Sequence, residues 1–225
     1  MKIIELEEID STNEYCKRCG EENLIVIAKR QIAGRGTKGR SFVSSEGGLY
    51  VSVMKRYDNF LAENAFKIMV NACVAVCKTV QSLGLQPVIR WANDVLVGGK
   101  KISGTLIENT FSGSYISRSI VGIGININND LPLDLKEVAT TISAELNKTI
   151  SIKSVKEALI KNLLNNYTIE DYKSYINWFG KQVVIKTSKD ELTATAVDID
   201  LDGGLLCVVG GSVKKINSGE VSLRL

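Results

Sequence analysis

Short apolar runs bounded by glycine-rich turns recur along this chain and predict a protein built on β-sheet. The predicted strands cover residues 2–9, 24–28, 49–54, 87–91, 105–111 and 115–127. Residues 62–83 instead carry apolar side chains at steps of three or four, which indicates one long helix with a single buried face. The chain is therefore expected to be an α+β protein in which helices back a mixed or antiparallel sheet.

The pattern of the sequence changes near Gly180, where helical periodicity gives way to short β runs. Helices are predicted at residues 135–147, 152–167 and 170–179, and strands at residues 183–185, 194–199, 205–209 and 213–216. The sequence therefore predicts two domains, residues 1–179 and residues 180–225, the second being a small SH3-like β-barrel.

The chain contains no histidine, so no side chain has an unperturbed pKa near neutrality. This absence excludes Ser-His and Cys-His nucleophile pairs. An enzyme on this chain would have to work mainly by positioning its substrates and by stabilising charge, as in phosphoryl and nucleotidyl transfer.

Five cysteines, an odd number in a chain too large to need disulfides, predict reduced thiols. The Cys16-x-x-Cys19 pair has no second pair at zinc-finger spacing, so packing is favoured over zinc binding. A formal net charge of +3 does not by itself indicate a nucleic-acid partner.

The apolar runs fall short of the ~18 residues that a membrane span needs. The N-terminus carries Glu5, where a signal peptide would be apolar. We therefore expect a cytoplasmic protein without a membrane partner.

Residues 30–40 form a basic, glycine-rich loop after the strand at residues 24–28. Glycine lets backbone N–H groups approach a ligand closely, and Arg35, Lys38 and Arg40 can bind the oxygens of a carboxylate or an oligophosphate. The loop matches neither the P-loop nor the dinucleotide-binding pattern. Taken alone, it leaves anion binding and a flexible basic loop about equally open.

A second polar group follows the strand that ends at Trp91. Asn93 and Asp94 are predicted at a strand end, where a carboxylate can hold a hard cation such as Mg²⁺. Gly98-Gly99 predicts a tight hairpin that returns Lys101 to the same cleft. The structural alternatives are a turn carboxylate and a solvated hairpin lysine.

Two further patterns contain candidate site residues. Ser11 and Glu14 fit a capping box at the start of a short helix. Gly122 and Gly124 lie inside a predicted strand, which indicates close approach of a ligand or of another backbone.

Four motifs in this order resemble those of the biotin protein ligase family, in the form without an N-terminal DNA-binding domain. The family patterns G-R-G-x-x-G-R, W-P-N-D, K-[ILV]-[AS]-G and G-x-G-x-N correspond here to residues 34–40, 91–94, 101–104 and 122–126. The resemblance implies a class II synthetase-like catalytic domain that uses ATP and Mg²⁺ to convert biotin to biotinoyl-5′-AMP. It also implies transfer of biotin to a lysine of an apo biotin carboxyl carrier domain and no DNA partner, and it leaves a homodimer open.

The resemblance also implies roles for individual residues. Catalysis would involve Lys101, Arg40 and Arg35. Biotin would be bound by Ser11, Thr12, Asn13, Gln31, Gly34, Arg35, Gly36, Thr37, Lys101, Gly104, Gly122 and Gly124. ATP would be bound by Arg40, Phe42, Asn93 and Asn126, and a metal ion by Asp94.

The chain departs from the family pattern at three positions. Thr37 replaces an arginine found in several members, which we expect to loosen the grip on the activated intermediate. Phe42 stands where tryptophan is common, and Ala92 replaces the usual proline. We expect Phe42 to keep a stacking or lid role and Ala92 to make the turn less rigid.

Three other functions remain open. A lipoate ligase would share the architecture and the adenylation chemistry, but the Ser-Thr-Asn trio and the G-R-G loop favour a ureido ring. A nucleic-acid binding module could use the basic loop, although an aromatic content of 6% leaves few stacking platforms. A biotin sensor would bind biotin without transferring it.

Overall fold

A computed structural model describes residues 1–186, 191–217 and 219–223 of the chain. Its strands are β1 (Lys2–Ile9), β2 (Leu24–Gln31), β3 (Leu49–Leu61), β4 (Val88–Arg90), β5 (Asp94–Val97), β6 (Lys100–Ser112), β7 (Tyr115–Ile125), β8 (Gln182–Lys186), β9 (Glu191–Ile199), β10 (Leu205–Val209), β11 (Ser212–Ile216) and β12 (Glu220–Leu223). Its α-helices are α1 (Thr12–Cys19), α2 (Phe66–Gln81), α3 (Ile142–Leu146), α4 (Ile152–Leu163) and α5 (Ile169–Ser174).

A seven-stranded sheet in the order β1-β2-β3-β7-β6-β5-β4 forms the framework of the larger part of the molecule. Only its β1–β2 pair is parallel, and the other neighbours are antiparallel. A parallel pair needs a crossover connection, which α1 provides here. The predicted α+β class with a mixed sheet is confirmed.

The long predicted helix is confirmed as α2, which begins after a 3₁₀ turn at Ala62–Asn64. Cys73, Val76, Cys77 and Val80 on the predicted face have no exposed surface, and Val74 and Ala75 away from that face have none either, so the helix is buried on more than the single face that was predicted. Burial raises the pKa of the Cys73 thiol to about 12, so this cysteine is a protonated core side chain. All five cysteines are free thiols.

The helix predicted at residues 135–147 is wrong over most of its length. The structure has a 3₁₀ turn at Leu133–Leu135 and the short helix α3, joined by a turn at residues 136–138 and a short segment that pairs with Lys101. Lys101 N donates to Val138 O and Thr140 N donates to Lys101 O, both at 2.9 Å. Pairing with the start of β6 thus overrides local helix propensity, as tertiary contacts commonly do.

The predicted capping box at the start of α1 is also wrong. Ser11 is the N-cap residue, but its side chain makes no capping bond. Glu14 Oε1 instead contacts Lys17 Nζ at 2.8 Å and Arg35 Nη1 at 2.5 Å. The carboxylate thus pairs with two cations, because charge-assisted contacts are stronger than a bond to a neutral N–H.

The C-terminal part forms a five-stranded antiparallel sheet in the order β11-β10-β9-β8-β12. The indole Nε1 of Trp91 donates to Gly203 O at 2.8 Å and links this sheet to the larger part. The domain boundary at residues 179 and 180 and the closure of this sheet into a barrel stay predictions. Within the described ranges, every helix is too short or too polar to cross a membrane.

Candidate active site

A cavity of about 410 Å³ lies where α1, the loop after β2 and the strands β5, β6 and β7 meet. Small-molecule sites commonly have this size. Of the predicted site residues, those that line it are Ser11, Thr12, Asn13, Gln31, Arg35, Gly36, Thr37, Arg40, Phe42, Asn93, Asp94, Lys101, Gly104, Gly122, Gly124 and Asn126. Their individual binding roles stay predictions.

Gly34 is the one predicted site residue outside this lining, and it closes the basic loop. A Cβ atom at Gly34 would lie 2.4 Å from Phe42 O and 2.5 Å from Ser44 Oγ. Phe42 N donates to Gly34 O at 2.9 Å, and Gly36 N donates to Arg40 O at 2.6 Å. The loop therefore folds back on itself, and glycine is needed at residue 34 for close backbone packing.

Ser11, Thr12 and Asn13 form a buried polar corner at one end of the cavity, each with 3% of its surface exposed. Thr12 donates through its backbone N (2.8 Å) and its Oγ1 (3.0 Å) to Gln31 Oε1. Gln31 Nε2 in turn donates to Ser44 Oγ at 2.8 Å. Gln31 thus fixes the start of α1 against the basic loop.

Asn13 is held by two residues that the sequence did not single out. Its Nδ2 donates to Glu108 Oε2 at 2.8 Å, and its Oδ1 accepts from Ser52 Oγ at 2.5 Å. Ser52 is a fully buried polar residue inside the otherwise apolar run at residues 49–54, and it could have been found by that signal, because a buried polar side chain needs a partner. Glu108 is followed by Asn109 and Thr110 and carries no such signal.

The other end of the cavity is cationic. Lys101 Nζ lies 2.7 Å from Asp94 Oδ1, and Arg90 Nη2 lies 2.7 Å from Asp94 Oδ2. Asn93 Nδ2 donates to Asp94 Oδ1 at 3.3 Å. Lys101 therefore has a fixed position, and Arg90 is a further cation that the motif comparison missed.

In the structure, these contacts surround the Asp94 carboxylate with cationic side chains, whereas the sequence predicted that it holds a metal ion. Both of its carboxylate oxygens already face cations. Over the described ranges, no group of three or more Cys, Asp or Glu side chains is placed to hold a metal ion. The geometry favours an orienting role for Asp94 toward Lys101.

The strand glycines make room for side chains at the cavity wall, and their predicted contact with a ligand stays a prediction. A Cβ atom at Gly122 would lie 2.3 Å from Asn13 Oδ1, and one at Gly124 would lie 2.4 Å from the Phe42 ring. A Cβ atom at Gly104 would lie 2.8 Å from Lys101 Nζ. The three glycines thus let Asn13, Phe42 and Lys101 lie against the sheet.

The two asparagines predicted to contact ATP also bond to protein atoms. Asn126 Nδ2 donates to Thr140 O at 3.1 Å, and Asn93 Nδ2 donates to Thr105 O at 3.0 Å. Asn126 is 4% exposed and joins the end of β7 to the segment that pairs with Lys101. Both residues therefore stabilise the cavity wall.

Comparison with known proteins identifies the family. Residues 6–126 match the sequence model of the biotin/lipoate A/B protein ligase family, and residues 179–224 match that of the biotin protein ligase C-terminal domain. The bifunctional ligase/repressor BirA of Bacillus subtilis is 30% identical over 229 residues, which cover 95% of this chain and 70% of the relative. The biotin–[acetyl-CoA-carboxylase] ligase of Paracoccus denitrificans is 33% identical over 108 residues, 45% of this chain and 43% of the relative.

A solved structure has the same overall arrangement. The biotin protein ligase of Aquifex aeolicus in complex with biotin and ATP gives a TM-score of 0.80 at 30% identity, covering 99% of this chain and 98% of that chain. The motifs, the cavity and these comparisons agree, and this chain belongs to the biotin/lipoate A/B protein ligase family.

Proposed function

We propose that this protein activates biotin with ATP and transfers it to a lysine of a biotin carboxyl carrier domain. The observation that carries the proposal is that one cavity has a neutral polar corner at Ser11, Thr12 and Asn13 and a cationic end at Lys101. A ureido ring needs both donors and acceptors, which hydroxyl and amide groups supply. A carboxylate and a triphosphate need the cations. The family and the relatives named for biotin ligation support this assignment.

In the first step, an oxygen of the biotin carboxylate attacks the α-phosphorus of ATP. The bond from that phosphorus to the bridging oxygen of the β-phosphate breaks, and pyrophosphate leaves. In the second step, the ε-amine of the acceptor lysine attacks the acyl carbon of biotinoyl-5′-AMP. An amide forms, AMP leaves with the electron pair of the broken bond, and the amine loses a proton to solvent.

Electrostatics dominates the first step, because two anions have to meet. At ~4 Å and an effective dielectric constant of about 20, their repulsion is on the order of 4 kcal/mol. Lys101, Arg40 and Arg35 line the cavity and offset this repulsion. Lys101 bridges the carboxylate and the α-phosphate, and Asp94 orients its ammonium group.

The predicted Mg²⁺ fits this cavity poorly as a protein-held ion, because Asp94 already pairs with Lys101 and Arg90. Mg²⁺ usually keeps several waters and binds through one or two carboxylates together with substrate phosphates. The steps above are therefore assigned to the side chains alone.

Pyrophosphate release from ATP and Mg²⁺ with biotin, lipoate or octanoate tests the proposal. We expect release with biotin, followed by a mass increase of one biotinoyl group on an apo carrier domain. Release with lipoate or octanoate alone would assign the chain to the lipoate branch of the family. Biotin binding without release would indicate a biotin sensor.

A further inference from the structure

A chain of alternating charges runs behind the polar corner of the cavity. Lys17 Nζ lies 2.6 Å from Glu108 Oε1 and 2.8 Å from Glu14 Oε1, and Glu14 contacts Arg35. The side chains of Lys17 and Glu108 are 33% and 29% exposed. Glu108 therefore has one oxygen on a surface lysine and the other on Asn13, at the cavity wall.

The chemistry of Glu108 determines which way the Asn13 amide points. A carboxylate beside a lysine only accepts hydrogen bonds, so the NH₂ group of Asn13 has to face it. The Asn13 oxygen is then directed at Ser52 and lies over Gly122. A neutral partner that both donates and accepts would leave the two orientations of the amide similar in energy.

The fixed orientation matters for a ligand at the polar corner. An asparagine amide carries two N–H hydrogens and two oxygen lone pairs. Glu108 engages one hydrogen and Ser52 engages one lone pair. The amide can therefore make one further hydrogen bond as a donor and one as an acceptor. Its orientation decides where the N–H is offered to the C=O of a cyclic urea and where the oxygen is offered to the N–H of that urea.

We propose that Glu108, braced by Lys17, is a positioning residue for the ureido end of the substrate and acts through the side-chain amide of Asn13. The inference rests on the proposed function, because it takes biotin to be the ligand of this corner. It assigns a role to a residue further along β6, the strand that contains the Lys-Ile-Ser-Gly motif, seven residues beyond Lys101.

A double-mutant cycle with equilibrium biotin binding by calorimetry tests this role. We expect E108A and N13A each to weaken biotin binding about tenfold or more, since a lost charge-assisted bond also leaves its partner unpaired. Because Glu108 acts through Asn13, the double variant should bind biotin less than about twofold more weakly than N13A alone. ATP affinity should change less than about twofold in every variant.

The E108Q variant separates the role of Glu108 as a hydrogen-bond acceptor from its packing. Glutamine keeps the size of the side chain, but it can turn either its oxygen or its NH₂ group toward Asn13. We expect severalfold weaker biotin binding at an unchanged Tm. E7A is the matched control, because Glu7 pairs with Lys29 on the far edge of the sheet and its side chain is 83% exposed. It should bind biotin like the wild type.

The outcomes separate the inference from the proposed function. Wild-type protein that binds no biotin overturns both. Wild-type protein that binds biotin and releases pyrophosphate, with E108Q equal to it within twofold, overturns the inference alone. Additive losses in E108A and N13A would likewise show that Glu108 does not act through Asn13.

Discussion

Lys101 has the position and the charge that the adenylation step requires. Its Nζ lies 2.7 Å from Asp94 and 5.6 Å from the centre of the Phe42 ring. We expect Lys101→Ala to lower kcat for biotin-dependent pyrophosphate release by about 10²-fold or more, because it removes a charge aimed at the reacting oxygens. ATP binding should change much less.

The neighbouring lysine provides a matched control for this prediction. Lys100 Nζ donates to Lys136 O at 2.7 Å at the protein surface. Lys100→Ala should keep the wild-type rate. A Lys101→Ala protein that adenylates biotin at the wild-type rate would contradict the assignment.

Asp94 allows a direct comparison of its two candidate roles. Asp94→Asn keeps the size of the side chain and removes the charge that holds Lys101. If Asp94 orients Lys101, kcat should fall about tenfold while the Mg²⁺ concentration for half-maximal rate stays the same. A metal-ligand role predicts that this concentration rises, and a Mg²⁺ titration of pyrophosphate release distinguishes the two.

At the scale of single residues, sequence motifs found the cavity lining but missed its supports. Glu108 and Asn13 are 95 residues apart in sequence, and their contact depends on the pairing of β6 with β7 and of β7 with β3. A local motif carries no information about such a contact. Neighbouring sequence also could not show that Arg90 and Lys101 meet on the two oxygens of Asp94, for which the motif predicts a metal ion.

At the scale of elements, Glu14 joins α1 to the basic loop through Arg35. We expect Glu14→Gln to raise the rate of trypsin cleavage after Lys38 severalfold in the empty protein, because the loop loses the ion pair that ties Arg35 to the helix. Biotin with ATP should slow cleavage in the wild type, since closure over a ligand orders such loops.

Glu22→Gln, which removes a surface contact with Arg56, is the control. Equal cleavage of both variants and the wild type would contradict a role for Glu14.

The ion pair between Asp10, which precedes α1, and Arg18 in its last turn predicts a dependence of stability on pH. A hydrogen bond from Arg18 lowers the pKa of Asp10 from 3.8 to about 2. A carboxyl group whose pKa is lowered on folding stabilises the protein above its unfolded pKa, and this contribution is lost as the pH falls from about 4 through about 2. Asp10→Asn should therefore lower Tm near neutral pH by at most about 4 °C, because the pair is partly exposed. The Tm difference from wild type should shrink toward pH 2, and one that persists there would contradict the prediction.

Helices were predicted correctly where one periodicity covered many residues. The prediction failed where contacts with distant parts of the chain determine the local structure. The face of α2 is apolar over its whole length, so its helical period was clear. The segment before α3 has helical composition, yet it pairs with the backbone of Lys101. Ser11 and Glu14 have the spacing of a capping box, but Arg35 comes from outside the local sequence and captures Glu14.

At the scale of the whole molecule, the change of pattern near Gly180 predicted a separate C-terminal β part, but nothing in the sequence predicted how it attaches. Among the described residues, the contacts that connect it to the rest include three around the β9–β10 turn and α5: Trp91 Nε1 donates to Gly203 O, a Cβ atom at Gly203 would lie 2.3 Å from the Phe66 ring, and Lys173 Nζ lies 2.8 Å from Asp198 Oδ1. Of these residues, Trp91 is the closest in sequence to the site residues Asn93 and Asp94.

The two tryptophans make a test of this attachment, because each donates its indole N–H to a buried backbone carbonyl at 2.8 Å. Trp91 bonds to Gly203 in the C-terminal part, whereas Trp178 bonds to Ile89 in the larger part. Replacing either by phenylalanine leaves a carbonyl unpaired, which costs about 1–3 kcal/mol.

Both variants should therefore lower Tm. Only Trp91→Phe removes a bond between the C-terminal part and the larger part, so only it should speed hydrogen exchange in β10 more than in β3. The same increase in β10 for Trp178→Phe would mean that the C-terminal sheet is held by packing at Phe66 and by the Lys173 ion pair, without a specific contribution from the Trp91 bond.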